Sequence, residues 1–159
     1  MEKIASFTVD HIKLLTGLYV SRVDNVNGNP LTTFDMRVTR PNVDEVMDTG
    51  SIHAYEHLGA TFLRNDKEMR DKVIYFGPMG CRTGFYIILA WLYESKDVVW
   101  LVKKMNDFVL QFEGVVPGQS PKDCGNYLDI DLNGAKKFAK KYQEDFLNNP
   151  VKERLVYPE

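Results

Sequence analysis

Three histidines occur in the 159-residue chain, and two of them, His53 and His57, stand four apart. On a helix that spacing stacks both imidazoles on one face about 6 Å apart, close enough to share a metal ion. Glu56 lies between them, so the segment reads His-x-x-Glu-His, a pattern of metalloenzyme helices in which a carboxylate beside the ion accepts and returns protons. The pattern alone names no reaction. Ala60 and Arg64 continue the stripe, which points a guanidinium the same way as the metal pair.

A metal site of this kind needs a third ligand, and the two cysteines, Cys81 and Cys124, are the natural candidates. Each lies beside glycine, in Gly77-Pro78-Met79-Gly80-Cys81-Arg82-Thr83-Gly84 and in Lys122-Asp123-Cys124-Gly125-Asn126, where backbone can approach a site closely. One thiol binding metal while the other does chemistry is one division of labour. Two imidazoles and a thiolate suit zinc or ferrous iron in tetrahedral geometry, with the fourth place open to water or substrate. A closed structural site would want a fourth ligand, which neither His11 nor Cys81 has an evident reason to supply. Cys81 reads either as a small buried hydrophobe or as a thiolate, its pKa lowered by Arg82 next in sequence and by a nearby metal cation.

The elements that position these residues follow from periodicity and punctuation. Leu18 to Val26 and Leu31 to Thr39 read as strands joined across Asn27-Gly28-Asn29-Pro30, an antiparallel hairpin. Phe34, Met36 and Val38 share one face of the second strand, and Thr33, Asp35, Arg37 and Thr39 the other. Arg37 either pairs with Asp35 on the solvent side or faces a ligand carboxylate, and pairing is the simpler expectation. After Pro41-Asn42, Val43 to Met47 is expected as a short helical turn. The main helix starts near Asp48 to Ser51 and runs to about Arg64, with Ile52, Tyr55, Leu58 or Gly59, and Phe62 toward the core.

Val73 to Phe76 is expected as a buried strand and Phe85 to Trp91 as a central one, with the Cys81 turn between them. Ser95 caps a helix carrying Val98, Leu101, Val102, Met105, Val109 and Phe112 at helical spacing, closed by Gly114. The long Pro- and Gly-rich loop from Val115 to Asn126 reads as a functional excursion. Asp131 caps a last helix with Ala135, Phe138, Ala139, Tyr142 and Phe146 inward and Lys136, Lys137, Lys140 and Lys141 solvated. The tail from Asn148 to Glu159 either packs along the outside or serves a partner chain. Ser6, Asp10 and His11 form a polar cluster that either caps the first element or joins a site.

Size and charge narrow the function classes. The length fits one domain with a real core, and 44% hydrophobic content argues for a globular chain. A formal net charge of -2 with no concentrated basic stripe gives little pull toward nucleic acid, so small molecules are the expected partners. The N-terminus lacks an apolar signal core, and no apolar run reaches the roughly 20 residues that span a bilayer. With two thiols in a chain that reads as cytoplasmic, no structural disulfide is expected.

Taken together, His53-Ala54-Tyr55-Glu56-His57, the Gly77 to Tyr86 turn, Cys124-Gly125, the opening Ser6-Phe7-x-x-Asp10-His11 and the strand Phe34-Asp35-Met36-Arg37 resemble the S-ribosylhomocysteine lyase (LuxS) family, from about Ser6 to the final helix. The resemblance implies an α+β fold with an antiparallel sheet packed against helices in a single domain over residues 1–159. It also implies a cytoplasmic homodimer with two sites at the subunit interface, and ferrous iron replaceable by zinc or cobalt. His53, His57 and Cys124 then match the metal ligands, and Glu56 and Cys81 the general acid/base pair. Ser6, His11 and Arg37 match residues lining the substrate site, the N-terminal pair coming from the neighbouring subunit, and Arg64 matches an arginine near it. The implied reaction opens the ribose, moves the carbonyl by two proton transfers, and eliminates homocysteine, leaving dihydroxypentanedione, the autoinducer-2 precursor. Such an enzyme serves quorum sensing or the activated methyl cycle. Two positions depart from some relatives: Tyr75 replaces an acidic residue, and Ile130 a histidine.

Two other classes fit parts of the pattern. A hydrolase of the inverted zinc-helix type would use Glu56 to activate water against a peptide, and has no use for the Cys81 turn. A non-catalytic metal-stabilised module would leave Cys81 without a chemical role.

Overall fold

A computed structural model describes residues 7–158 together with Glu2 and Ile4. Four strands, β1 (Gly17–Val26), β2 (Asn29–Arg37), β3 (Val73–Pro78) and β4 (Gly84–Ala90), form one antiparallel sheet in the order β1-β2-β4-β3. Three helices, α1 (Thr49–Asn65), α2 (Ser95–Gln111) and α3 (Leu132–Tyr142), pack on one face of it. The α+β class expected from the sequence is therefore observed. Among the described residues no helix is long and apolar enough to cross a membrane.

The first hairpin turns on two residues. Asn27 and Gly28 both have positive φ, 52° and 85°, as a tight turn matched to strand twist requires. Asn29 and Pro30 already belong to β2. Proline is tolerated there because pairing with β4 begins only at Thr32, so no ladder bond needs its missing N–H. Phe85, Ile87 and Leu89 of the central strand β4 are buried, while β3 lies at the edge. The expectation that β3 is wholly buried fails at Ile74 and Tyr75, each about half exposed, beside an irregularity in the register.

Helix ends follow the capping residues. Asp48 accepts from Ser51 N at 2.9 Å to start α1, and Asp131 accepts from Gly134 N at 3.0 Å to start α3. At α2 the cap is Glu94, reciprocated by Asp97, and Ser95 is the first helical residue. The short helical turn expected over 43–47 closes earlier, with Asp44 N donating to the Arg40 carbonyl at 3.0 Å, and residues 45–48 carry no regular structure. α3 continues as a π-turn over Gln143–Leu147, which carries Phe146 inward.

The core lies between the helices and the Phe34, Met36, Phe76 and Phe85 side of the sheet, where Tyr55 meets Phe85 and Phe76 stacks on Phe85. Each such large apolar side chain stabilises the fold by about 2 kcal/mol when buried. α1 approaches β3 so closely that a Cβ on Gly59 would fall 2.3 Å from the Phe76 ring. Asn106 joins the three helices: its Oδ1 accepts from Tyr55 Oη at 2.6 Å, and its Nδ2 donates to the Ala139 carbonyl at 3.0 Å.

The opposite sheet face is covered only in part. The tail crosses it, with Tyr157 stacked on Tyr19 and donating to Asp35 Oδ2 at 2.8 Å, and Arg154 donating to the Thr16 carbonyl. Asp35 and Arg37 do pair, but not on a solvated surface as expected: their residues are 1% and 3% exposed.

Candidate metal centre

His53 and His57 stand on the face of α1 turned away from Tyr55 and Leu58, with ring centroids 4.7 Å apart and the rings edge-on. The loop after α2 closes over them. A tight turn from Ser120 to Cys124, held by Cys124 N donating to the Ser120 carbonyl at 3.0 Å, brings Cys124 Sγ to 3.4 Å from His53 Nε2. One ligand atom from each of His53, His57 and Cys124 lies within 4.8 Å of the others. Earlier in the loop the Pro117 carbonyl accepts from His57 Nδ1 at 2.7 Å. Gly118, at φ 78°, follows it, and a Cβ there would sit 3.1 Å from that nitrogen. The loop can lie on the imidazole because position 118 is glycine.

These residues fit a metal ion. With Nδ1 of His57 bonded to a carbonyl, its proton is assigned to that nitrogen and Nε2 is left as the ligating lone pair. Tetrahedral bonds of about 2.0–2.3 Å put ligand atoms roughly 3.3–3.8 Å apart, and the His53 to Cys124 distance already meets that. Two imidazoles and a thiolate suit a borderline divalent cation. Glu56 adds a carboxylate beside the group, its Oε2 3.8 Å from His57 Nε2.

Cys81 belongs to a different constellation. The β3–β4 turn is closed by Met79 N donating to the Gly84 carbonyl and Arg82 N donating to that of Met79. β2 pairs with β4 so that Arg37 opposes Gly84. This register sets Arg37 Nη1 2.6 Å from Thr83 Oγ1 and 3.8 Å from Cys81 Sγ, with Thr83 Oγ1 itself 3.1 Å from the thiol. Partial burial raises the thiol's pKa, but hydrogen bonds from Thr83 and the positive Arg37 outweigh it and hold the thiol below its ordinary value. The cation responsible is thus Arg37 and not Arg82, as its place next in sequence had implied.

A cavity of about 250 Å³ opens at this thiol, lined among others by His11, Arg37, Cys81, Tyr86 and Tyr157 and by none of His53, Glu56, His57 or Cys124. His11 therefore joins Cys81 of its own chain, its Nδ1 2.9 Å from the Val9 carbonyl. Asp10 takes the capping role, accepting from Ile12 N at 2.9 Å. Ser6 lies outside the described residues. The Arg64 guanidinium donates to the Val73 and Ile74 carbonyls at 2.8 and 3.0 Å, which ties α1 to the edge strand instead of aiming along the histidine stripe.

Thr83, Asp35 and Tyr157 escaped the sequence reading as site residues. Thr83 carried a signal, standing two residues from Cys81 in a turn, where a hydroxyl can reach back to a thiol. Asp35 was legible only as a partner for Arg37. Tyr157 carried none, because it reaches Asp35 from 122 residues away.

The profile of the family described as S-Ribosylhomocysteinase (LuxS) matches residues 4–153. A protein named S-ribosylhomocysteine lyase from Clostridium beijerinckii is 56% identical over 158 residues, covering 99% of each chain. Proteins of the same name from Finegoldia magna, 54% identical over 100% of both chains, and Phocaeicola vulgatus, 49% identical over 99% of this chain and 98% of that one, are also similar.

Proposed function

Because the chain belongs to the S-ribosylhomocysteinase (LuxS) family, we propose that it cleaves the thioether of S-ribosylhomocysteine, giving homocysteine and dihydroxypentanedione, the autoinducer-2 precursor. The observation that carries the assignment of roles is the pairing of a His-His-Cys group bearing Glu56 with a separate cavity bearing an acidified thiol. A divalent ion held by His53, His57 and Cys124, ferrous iron with zinc or cobalt as substitutes, supplies Lewis acidity toward the sugar oxygens when bound.

The chain's own residues handle the protons. Cys81 Sγ, ionised beside Arg37 and Thr83, removes a proton from one sugar carbon, and a proton returned to the adjacent oxygen or carbon completes each carbonyl shift. Glu56 Oε2 carries protons on the other side of the substrate. Loss of a proton from the carbon next to the final carbonyl expels the homocysteine sulfur, which leaves as a thiolate and takes up a proton. The sum is isomerisation followed by elimination, so substrate and products balance with no oxidant consumed. His11 and Arg37 line the cavity and are assigned to its substrate edge, and Ser6 is assigned to substrate binding from the family resemblance alone. Arg64 is assigned a supporting role through β3.

Within one chain the cavity at Cys81 and the metal group do not share a lining, which favours a homodimer in which one copy's cavity faces the partner's metal group. In this arrangement His11, Arg37 and Cys81 are donated as one unit, instead of the N-terminal pair alone. Exposed Phe7, Ile12 and Tyr75, at 70%, 78% and 48%, supply apolar surface for such a contact. The single domain acts in the cytoplasm, in keeping with two free cysteines.

The test is release of free thiol from S-ribosylhomocysteine by protein loaded anaerobically with ferrous iron. Wild type should release it, and Cys81→Ala and Glu56→Gln at equal metal content should each lose about 100-fold or more. A folded, iron-loaded wild type that releases no thiol would sink the assignment.

A further inference from the structure

The two imidazoles of the metal centre are held from behind by different groups. His57 Nδ1 meets a neutral carbonyl, whereas His53 Nδ1 faces a carboxylate, Asp129, with Oδ2 at 3.6 Å. Its Nε2 lies on the side of Cys124. The geometry points to Asp129 as a positioning residue for the metal centre, one that keeps the proton of His53 on Nδ1 and turns Nε2 toward the ion. A carboxylate behind a ligating histidine fixes the tautomer and raises the basicity of the far nitrogen.

Asp129 is itself held in place for this. It ends the short 3-10 turn Tyr127–Asp129, five residues after Cys124, so one segment supplies a ligand and the carboxylate behind another. Its second oxygen, Oδ1, lies 3.2 Å from Thr49 Oγ1, which donates to it. Thr49 and His53 are four apart on α1, so the carboxylate spans two positions of one helical stripe. The turn is seated on the start of that helix by Asp131 N donating to the Gly50 carbonyl at 3.0 Å. A Cβ at Gly50 would fall 2.4 Å from the Asp129 carbonyl oxygen, so glycine at 50 is what lets the turn come this close. At 3.6 Å the two groups stand at ion-pair distance, just beyond hydrogen-bond length.

The inference rests on His53 serving as a ligand, and measuring metal binding instead of turnover keeps the two claims apart. Zinc affinity would be measured by competition with a chromophoric chelator for wild type, Asp129→Asn, Asp129→Glu, His53→Ala and Glu113→Gln. The last removes an equal charge at an exposed residue outside the turn that carries Cys124. The tautomer of His53 would be read from imidazole nitrogen shifts in the metal-free protein. Asp129→Asn should bind zinc about 10–100-fold more weakly, lower the Nδ1–H population of His53, and leave the metal-free melting temperature unchanged, while Asp129→Glu recovers part of the affinity. Zinc binding by Asp129→Asn within about twofold of wild type, an equal loss in Glu113→Gln, or a parallel fall in metal-free stability would each overturn the inference. If His53→Ala binds zinc as wild type does, the ligand assignment falls and takes the inference with it. If His53→Ala loses zinc and Asp129→Asn does not, the inference alone falls.

Discussion

A thiol works as a base only while ionised, so the useful property of Cys81 is set by what faces its sulfur. Two groups do: the Thr83 hydroxyl at 3.1 Å and Arg37 Nη1 at 3.8 Å. The depressed pKa means that the thiolate persists as pH falls below the ordinary value of about 8.5, and is protonated only as pH drops through the lower folded-state value. Alkylation by iodoacetamide against pH should therefore show a midpoint below that of a free thiol. Thr83→Val removes the hydroxyl and leaves Arg37 paired with Asp35, so it should move the midpoint up; an unchanged midpoint would show that Thr83 does not hold the thiolate. The sequence revealed that Cys81 stands in a turn beside a cation, and named the neighbouring Arg82. The effective cation comes from β2, because the register that sets Arg37 opposite Gly84 is a long-range fact that no local pattern contains. The same holds for Tyr157, whose hydroxyl braces Asp35 and through it Arg37.

At the scale of elements, α1 was legible nearly to its ends because its signals are local: an aspartate cap, an apolar face, and a histidine pair offset from that face. The loop from 115 to 126 was legible only as an excursion, since what it does depends on where α2 leaves it relative to α1. Its conformation is nonetheless demanding. Gly118 combines φ 78° with a Cβ position 3.1 Å from His57 Nδ1, so Gly118→Ala both strains the backbone by about 1 kcal/mol and pushes the carbonyl support from the ring. Zinc affinity should drop several-fold while the far-ultraviolet dichroism is kept, and undiminished affinity would show that the loop has room to yield. Beneath the same helix, Asn106 is fully buried with both ends of its amide satisfied. Asn106→Ala leaves the Tyr55 hydroxyl unpaired and removes one of two bonds to the Ala139 carbonyl, which Gln143 N still serves, and should destabilise the protein by about 1.5–3 kcal/mol in urea denaturation; a loss under about 1 kcal/mol would mean that the helices tighten around the gap. The edge strand shows the complementary failure. Val73 to Phe76 is apolar enough to read as buried, but strand order places it at the rim, and strand order is not written in composition.

For the molecule as a whole, the alternation of β2 decides how a site can be built. Phe34 and Met36 point into the helix layer, so Asp35 and Arg37, one residue out of phase, point to the other face. The Cys81 cavity gathers on Arg37's face, while Glu56 and the metal ligands ride on α1 and on the loop and turn beside it. On the proposed reading, in which one substrate meets both Cys81 and Glu56, two copies around a two-fold axis would create two equivalent composite sites. Mixing makes this measurable. Cys81→Ala and Glu56→Gln proteins, each expected to be inactive alone, would be unfolded together and refolded with iron at equal concentrations. Random pairing makes half the dimers mixed, and each mixed dimer carries one site with both residues intact and one with neither. Thiol release should therefore return to about one quarter of the wild-type rate. If both residues of a site came from the same chain, each mixed dimer would hold two singly damaged sites and activity would stay at the level of the variants. The outcome depends on face and register alone, so it tests the arrangement of the fold independently of how either residue moves its proton.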